Sequence, residues 1–345
     1  MTADTQGNHE PTAERFHLLS VKDLFALRQP KWLIDGIVTE GAFGSVFGPS
    51  GDGKSFLALD WSLSVASGCP WQGRRVQQGE VVYVAAEGGL AINKRVAAWM
   101  QQHALSDVPS AFFLLEGVQV ADEEELDLLL RKLAERSMVP CLIVLDTFAR
   151  CFVGGEENSA KEVGEFIAGA ARLHVATGAT VLCVHHTGKG GKDIERGSSA
   201  LRAAADVMVR VVKDKTTVTI YNDKQKDAAP FDAIKLRMQE VQTLVGQETT
   251  TSLVLLAAGA DAASCAPETL PARSEQVLKM LAACAGGTAT TAQLMVQGEA
   301  HRTFFHRVRQ LQETGHVVKQ SRGRYALTDK GRAMCGTAAR ATQVH

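Results

Sequence analysis

Gly44-Ser45-Val46-Phe47-Gly48-Pro49-Ser50-Gly51-Asp52-Gly53-Lys54-Ser55, followed by Phe56-Leu57-Ala58-Leu59-Asp60-Trp61-Ser62-Leu63-Ser64-Val65-Ala66, decides the fold of this chain. Its first four residues read as a short buried strand, and Ser55 to Ala66 reads as a helix stopped at Gly68. Between them Gly48 to Ser55 fits G-x-x-x-x-G-K-[ST], so strand, glycine loop and helix stand in the order a phosphate-wrapping loop requires. Glycines let the backbone approach the phosphates, so that successive N–H groups point inward beside the positive end of a helix. In this chemistry Lys54 bridges the β- and γ-phosphates and the Ser55 hydroxyl ligates Mg²⁺. The nucleotide-binding segment is read as Gly48, Pro49, Ser50, Gly51, Asp52, Gly53, Lys54, Ser55 and Phe56.

Size allows a substantial core and a second small one: the chain has 345 residues, 45% hydrophobic and 22% charged. No apolar run is long enough to span a membrane, and the polar Met1-Thr2-Ala3-Asp4-Thr5-Gln6 lacks the features of a leader. A cytoplasmic protein with no membrane partner is expected. The seven cysteines are widely spaced and form no C-x-x-C pair, which suits a reducing compartment and argues against zinc. The net charge of -1 hides an asymmetry. From residue 271 onward there are eleven Lys/Arg against four Asp/Glu, a balance of +7, which leaves -8 for the first 270 residues. A basic segment of this kind is expected to meet nucleic acid.

Residues 1–30 read as a polar arm with an amphipathic lead-in from Phe16 to Leu27. Apolar strand candidates recur at 80–85, 111–115, 141–145, 180–184, 207–211 and 218–221, with helical patterns at 90–102, 122–136 and 161–177. Several strands are continuous apolar runs, the mark of burial on both faces. The fold class is therefore α/β with a mainly parallel sheet over residues 31–256, closed by an antiparallel ribbon at 235–244 and 251–256. Residues 257–272 read as a linker, 273–335 as a small second domain and 336–345 as a flexible tail.

Leu142-Ile143-Val144-Leu145-Asp146 supplies the acid that a P-loop protein needs at the end of a neighbouring buried strand to hold the water shell of Mg²⁺. Glu87, ending the strand that begins at Val81, is the candidate for orienting or deprotonating the attacking water. His185 and His186 end another strand and stand as a metal pair, a γ-phosphate sensor or, for one of them, a structural histidine. Adjacent strand residues point to opposite faces, which disfavours joint chelation; a sensor at the strand's carboxyl end fits better.

Together with Arg196-Gly197-Ser198-Ser199-Ala200-Leu201, these motifs resemble the RecA-like ATPases of the RepA type. That family comprises hexameric replicative helicases of plasmids, phages and integrated elements, related to the DnaB motor. The resemblance covers about residues 30–245. It implies ATP and Mg²⁺ at sites between subunits of a ring, with a basic residue of one subunit completing the neighbour's site. Lys224-Gln225-Lys226 is similar to the Lys-x-Arg fingers of such motors, with Arg196 and Arg202 as rivals. It also implies two channel loops that meet single-stranded DNA. The first is Arg150 to Ser159, where Phe152 is the aromatic available for stacking; the second is Thr187 to Arg196, with Lys189, Lys192 and Arg196 as phosphate contacts.

Residues 274–335 read as three helices and a hairpin, and resemble a winged helix. Phe304, Val308 and Leu311 recur at helical spacing and face inward, leaving Arg302, His306 and Arg309 for a DNA groove. Arg322 and Arg324 on the wing would reach phosphates. The expected function is a DNA-binding ATPase motor, a replicative helicase. The alternatives are an ATP-switched DNA-binding regulator or accessory protein without unwinding activity, and a winged helix that docks proteins.

Overall fold

In the computed structural model the chain divides into two units, Met1–Cys265 and Ala266–His345. The structure describes residues 18–27, 31–187, 199–226, 228–258, 272–284, 287–295, 301–313, 316–321 and 323–328. Most of the expected arm and linker, the tail, the second channel loop with Lys189, Lys192 and Arg196, Arg322, and the side chains of Arg302 and His306 lie outside the described residues.

The first unit opens with helix α1 (Val21–Ala26), nucleated by a reciprocal capping box between Ser20 and Asp23. None of its residues is buried. A two-stranded ribbon, β1 (Trp32–Ile34) and β2 (Val38–Thr39), leads into β3 (Phe43–Gly48) and helix α2 (Lys54–Ser67). There follow β4 (Glu80–Ala85), α3 (Ala91–Gln102), β5 (Ala111–Leu114), α4 (Glu123–Glu135), β6 (Pro140–Asp146), α5 (Ala160–Thr177) and β7 (Thr180–His186). Helix α6 (Ser199–Ala204) and strands β8 (Val207–Asp214), β9 (Thr217–Gln225), β10 (Ile234–Val245) and β11 (Glu248–Ala257) complete the unit.

Local chemistry sets the boundaries. Asp122 accepts from the backbone N–H groups of Glu124 and Glu125 at the start of α4, where three glutamates also meet the positive helix end. Helix α2 stops at Gly68 in the left-handed conformation, as its sequence predicts.

Nine strands form one sheet in the order β11-β10-β9-β8-β3-β7-β6-β4-β5. The six strands from β8 to β5 are parallel, and β9, β10 and β11 add antiparallel hairpins. The expected mainly parallel sheet flanked by helices is therefore the one observed. Side-chain alternation sorts the core into two layers. Val81, Tyr83, Val144 and Val184 share one apolar cluster with α2 and α3, whereas Val82, Ile143, Leu145 and Cys183 share another with α4 and α5. Strand β3 lies between β7 and β8, so the chain crosses over on either side of it. Such a switch point opens a crevice at the carboxyl ends of the strands.

The second unit contains α7 (Ala272–Ala283), β12 (Thr288–Thr290), α8 (Thr291–Leu294), α9 (His301–Glu313), β13 (Val317–Ser321) and β14 (Arg324–Leu327). The sheet order is β12-β14-β13, with both pairings antiparallel. Phe304, Val308 and Leu311 face a core shared with Val277, Leu281, Leu294 and Tyr325. The third strand, β12, was not foreseen; its three residues are too few to show a period.

Two expectations need correction. Phe152 is not a stacking platform: it is buried, with its ring 5.1 Å from that of Phe148 and 5.9 Å from that of Phe166. An aromatic residue in an otherwise polar loop found apolar partners beneath it and turned inward. Cys69 is disulfide-bonded, unlike the fully reduced chain expected, whereas Cys141, Cys151, Cys183 and Cys284 are free. No helix among the described residues is long and apolar enough to cross a membrane.

Candidate functional site

Four parallel strands deliver the site. In register, Gly48 at the end of β3 pairs with His186 at the end of β7, and Ala85 of β4 pairs with Asp146 at the end of β6. The loop from Gly48 to Gly53 leaves β3 and enters α2, whose first turn has no side-chain cap. The amides at that helix start are thus available for an anion. Gly48 has φ 155°, and a Cβ there would lie 2.2 Å from the carbonyl oxygen of Val211, so no other residue fits. The loop is braced from β8: the Lys213 backbone N–H donates to Asp52 Oδ2 at 3.0 Å, and its ammonium donates to the Gly51 carbonyl at 2.7 Å.

Lys54 is buried under the loop, donating to the Pro49 carbonyl at 2.7 Å, with Nζ 3.1 Å from His186 Nδ1. Burial pulls the Lys54 pKa down to about 8, against the pull of Asp52, Asp146 and Glu87. It remains a cation at neutral pH. Burial, and then the nearby Lys54 charge, lower the His186 pKa, while Glu87 works the other way. A neutral ring accepting from Lys54 at Nδ1 carries its proton on Nε2, which faces Glu87 Oε2 at 3.8 Å. Glu87 is half-exposed, and its Oε2 also accepts from the Thr147 hydroxyl at 3.1 Å.

Asp146 is buried between two hydroxyls. Ser55 Oγ donates to its Oδ1 at 3.0 Å and Tyr83 Oη to its Oδ2 at 2.6 Å. Burial raises the Asp146 pKa, and these two hydrogen bonds act against that rise. The Arg95 guanidinium, stacked over the Phe56 ring at 4.7 Å, also favours the carboxylate. Among the described residues no group of three or more His, Cys, Asp or Glu is placed to hold a metal ion. One hydroxyl and one carboxylate oxygen suit a small hard cation that takes its remaining ligands from water and phosphate.

The structure thus brings together Lys54, Ser55, Glu87, Asp146 and His186 from the sequence candidates. It separates the two histidines. His186 lies on the α2 face, whereas His185 is buried on the α5 face, edge-on to Phe148 at 4.5 Å. Lys224 and Lys226 are not part of this chain's own P-loop site. Gln225 pairs with Val207, which pairs with Gly44, so both lysines sit at the end of the sheet opposite Gly48. Lys224 donates to the carbonyls of Arg202 and Ala203 at the end of α6, and Lys226 pairs with Asp206 at 3.2 Å. In the second unit Arg309 and Arg324 are exposed. Tyr83, Arg95, Thr147 and Lys213 were missed by sequence reading. Tyr83 is hidden in an apolar strand, and only its place four residues before Glu87 marks it out.

A further buried acid holds α2 in place. Asp60 accepts the indole N–H of Trp71 at Oδ2 and that of Trp99 at Oδ1, each at 2.7 Å. Burial raises its pKa to about 6, with both indoles opposing the rise.

Comparison with known proteins agrees with this geometry. Over 62 residues, 18% of this chain, the sequence is 42% identical to the DNA repair and recombination protein RadB of Methanobrevibacter smithii. The match spans 23% of that relative's length. Residues 9–192 match the family model described as an AAA domain. A glycine loop on a central parallel strand, a buried acid on its neighbour and this family match lead to one conclusion: the chain belongs to the AAA domain family, as a RecA-like P-loop ATPase.

Proposed function

We propose that this chain is a Mg²⁺-dependent ATPase that works on DNA as a ring-shaped replicative helicase. The observation that carries the reading is the connection from Lys54 through His186 to Glu87, His186 standing immediately before the loop that holds Lys189, Lys192 and Arg196. Lys54 and the amides at the start of α2 bind the β- and γ-phosphates, and Ser55 and Asp146 hold the cation. Mg²⁺, when bound, neutralises charge on the phosphate oxygens. Glu87, steadied by Thr147, orients the attacking water and accepts its proton. His186 senses whether Lys54 is engaged with phosphate, because the same ammonium cannot fully serve both partners. Its position at the end of β7 passes that state to the adjoining loop, where cations contact single-stranded DNA.

Self-assembly is supported by apolar surface. Leu18, Val21 and Phe25 of the α1 segment are mostly exposed, and Val96, Met100, Phe113 and Leu244 help line an apolar groove of about 630 Å³. A hexamer would bring Lys224, Lys226 or Arg196 to a neighbour's nucleotide. In the second unit, three helices and a three-stranded sheet support a winged helix that binds duplex DNA through Arg302, His306, Arg309, Arg322 and Arg324. The repair and recombination role in RadB's name favours a second reading, an ATP-switched DNA-binding accessory protein.

Strand displacement on a forked substrate separates the two. Unwinding that needs ATP and Lys54 supports the helicase; DNA-stimulated hydrolysis without displacement supports the accessory protein instead.

A further inference from the structure

The glycine loop carries an acid where a polyphosphate is to sit. Asp52 stands two residues before Lys54. Burial lowers the Lys54 pKa, and Asp52 is the largest of the charges that oppose that fall, so its carboxylate acts on the same space as the ligand. Turned inward, it would repel phosphate. The structure ties it outward. Pairing of β3 with β8 ends at Phe47 and Arg210, where β3 gives way to the loop, so the next stretch of β8 faces the loop instead of a strand. There the Lys213 backbone N–H donates to Asp52 Oδ2 at 3.0 Å.

The side chain of the same lysine takes hold one residue earlier, its ammonium donating to the Gly51 carbonyl at 2.7 Å. In a planar trans peptide the C=O and the following N–H point opposite ways. Drawing the Gly51 oxygen toward Lys213 therefore turns the Asp52 N–H into the loop. It meets the Pro49 carbonyl there at 3.4 Å, the same carbonyl that accepts from Lys54 at 2.7 Å. So long a contact is a weak hydrogen bond and leaves the N–H ready for a better acceptor. Gly51 has φ 84°, and a Cβ there would meet nothing within 4 Å, so no packing at this glycine holds the peptide plane.

We propose that Lys213 is a positioning residue that locks the Gly51-Asp52 peptide with its N–H toward the phosphates and the acidic side chain away from them, and so sets the affinity for ADP and ATP alike. This rests on the reading that the amides of the glycine loop bind the phosphates. Lys213 acts from outside the loop, through Gly51 and Asp52, and not as a charge on the ligand. Both nucleotides carry the α- and β-phosphates that such a loop cradles, so the lock contributes uniform binding and not acceleration of the chemical step.

The test is equilibrium binding of ADP and of a non-hydrolysable ATP analogue to the full chain, with steady-state hydrolysis alongside. Lys213→Met keeps the backbone bond to Asp52 and loses the ammonium. It should weaken both nucleotides about 5-fold and raise KM by the same factor without lowering kcat. Lys213→Arg retains a donor for the Gly51 carbonyl and should restore most of the affinity. Unchanged binding in Lys213→Met overturns the proposal, as does a lowered kcat at unchanged KM. Repeating the titration at low and high salt separates position from charge. A lock acting through the loop keeps most of its fold-loss as salt rises, whereas a loss that disappears marks plain attraction of the phosphates and overturns the proposal. Lys54→Met tests the underlying reading on its own: if it binds ADP as tightly as wild type, the glycine loop does not hold the phosphates, and the proposal falls with it.

Discussion

Nζ of Lys54 lies 3.1 Å from Nδ1 of His186, and the opposite nitrogen of the same ring faces Glu87 at 3.8 Å. One neutral imidazole thus joins the cation under the P-loop to the acid across the crevice. His186→Ala should retain nucleotide affinity within about threefold and lower ATP turnover roughly 100-fold, the lower end of general acid–base effects. Steady-state phosphate release with a nucleotide-binding control checks this. His185→Ala should behave differently: its ring packs on Phe148 in the core, so the loss falls on thermal stability.

Glu87→Gln keeps the size of the side chain and its hydrogen bond with Thr147 but cannot accept a proton. Nucleotide binding should persist while turnover falls by a factor of about 100 or more. Preserved single-turnover hydrolysis would remove Glu87 as the base.

Lys54 illustrates a functional group that costs stability. Its pKa falls from 10.5 to about 8 on burial, so the folded state disfavours the ammonium. Since the unfolded chain holds more protons between those values, this group's contribution to stability rises with pH across the window from about 8 to 10.5. Lys54→Met should therefore raise the melting temperature without nucleotide and abolish the further rise that nucleotide produces. Differential scanning calorimetry with and without ATP reads both effects.

Asp60 gives a pH signature of the opposite sense. Its folded pKa of about 6 lies above the unfolded 3.8, so stability is greatest below the unfolded value and declines as pH rises through 6. The two-unit shift corresponds to roughly 3 kcal/mol. Asp60→Asn does not titrate, so its stability relative to wild type should improve by about that amount between about pH 4 and pH 7. Urea unfolding at the two pH values measures it; a pH-independent difference would refute the assignment.

Removal of Arg309 and Arg324 together should weaken binding to duplex DNA of any sequence and lower the salt slope by about 2. An unchanged slope would turn the second unit toward a protein partner.

Much of this architecture is legible in sequence because parallel strands covered on both faces leave continuous apolar runs, as at Leu142–Leu145 and Val181–Val184. Strand ends then point to Asp146, Glu87 and the histidines. Alternation along β7 separates His185 from His186, yet only the positions of α2 and α5 assign one to the site and one to the core. Tyr83 was illegible because a strand-favouring aromatic carries no local sign that its hydroxyl has a partner 63 residues away. Phe152 misled for the complementary reason: its loop is polar, but Phe148 and Phe166 beneath it are not. The positions of Lys224 and Lys226 follow from strand register, which depends on pairing across the sheet.

The indoles around Asp60 have an optical consequence. The chain has four tryptophans; Trp71 and Trp99 bond to Asp60, and Trp61 stands edge-on to Trp71 at 5.6 Å. Three of the four indoles therefore lie on or against the helix that begins at Lys54. Emission from the unlabelled protein is weighted toward this helix, making it a native reporter of how a ligand at the glycine loop changes the packing behind it.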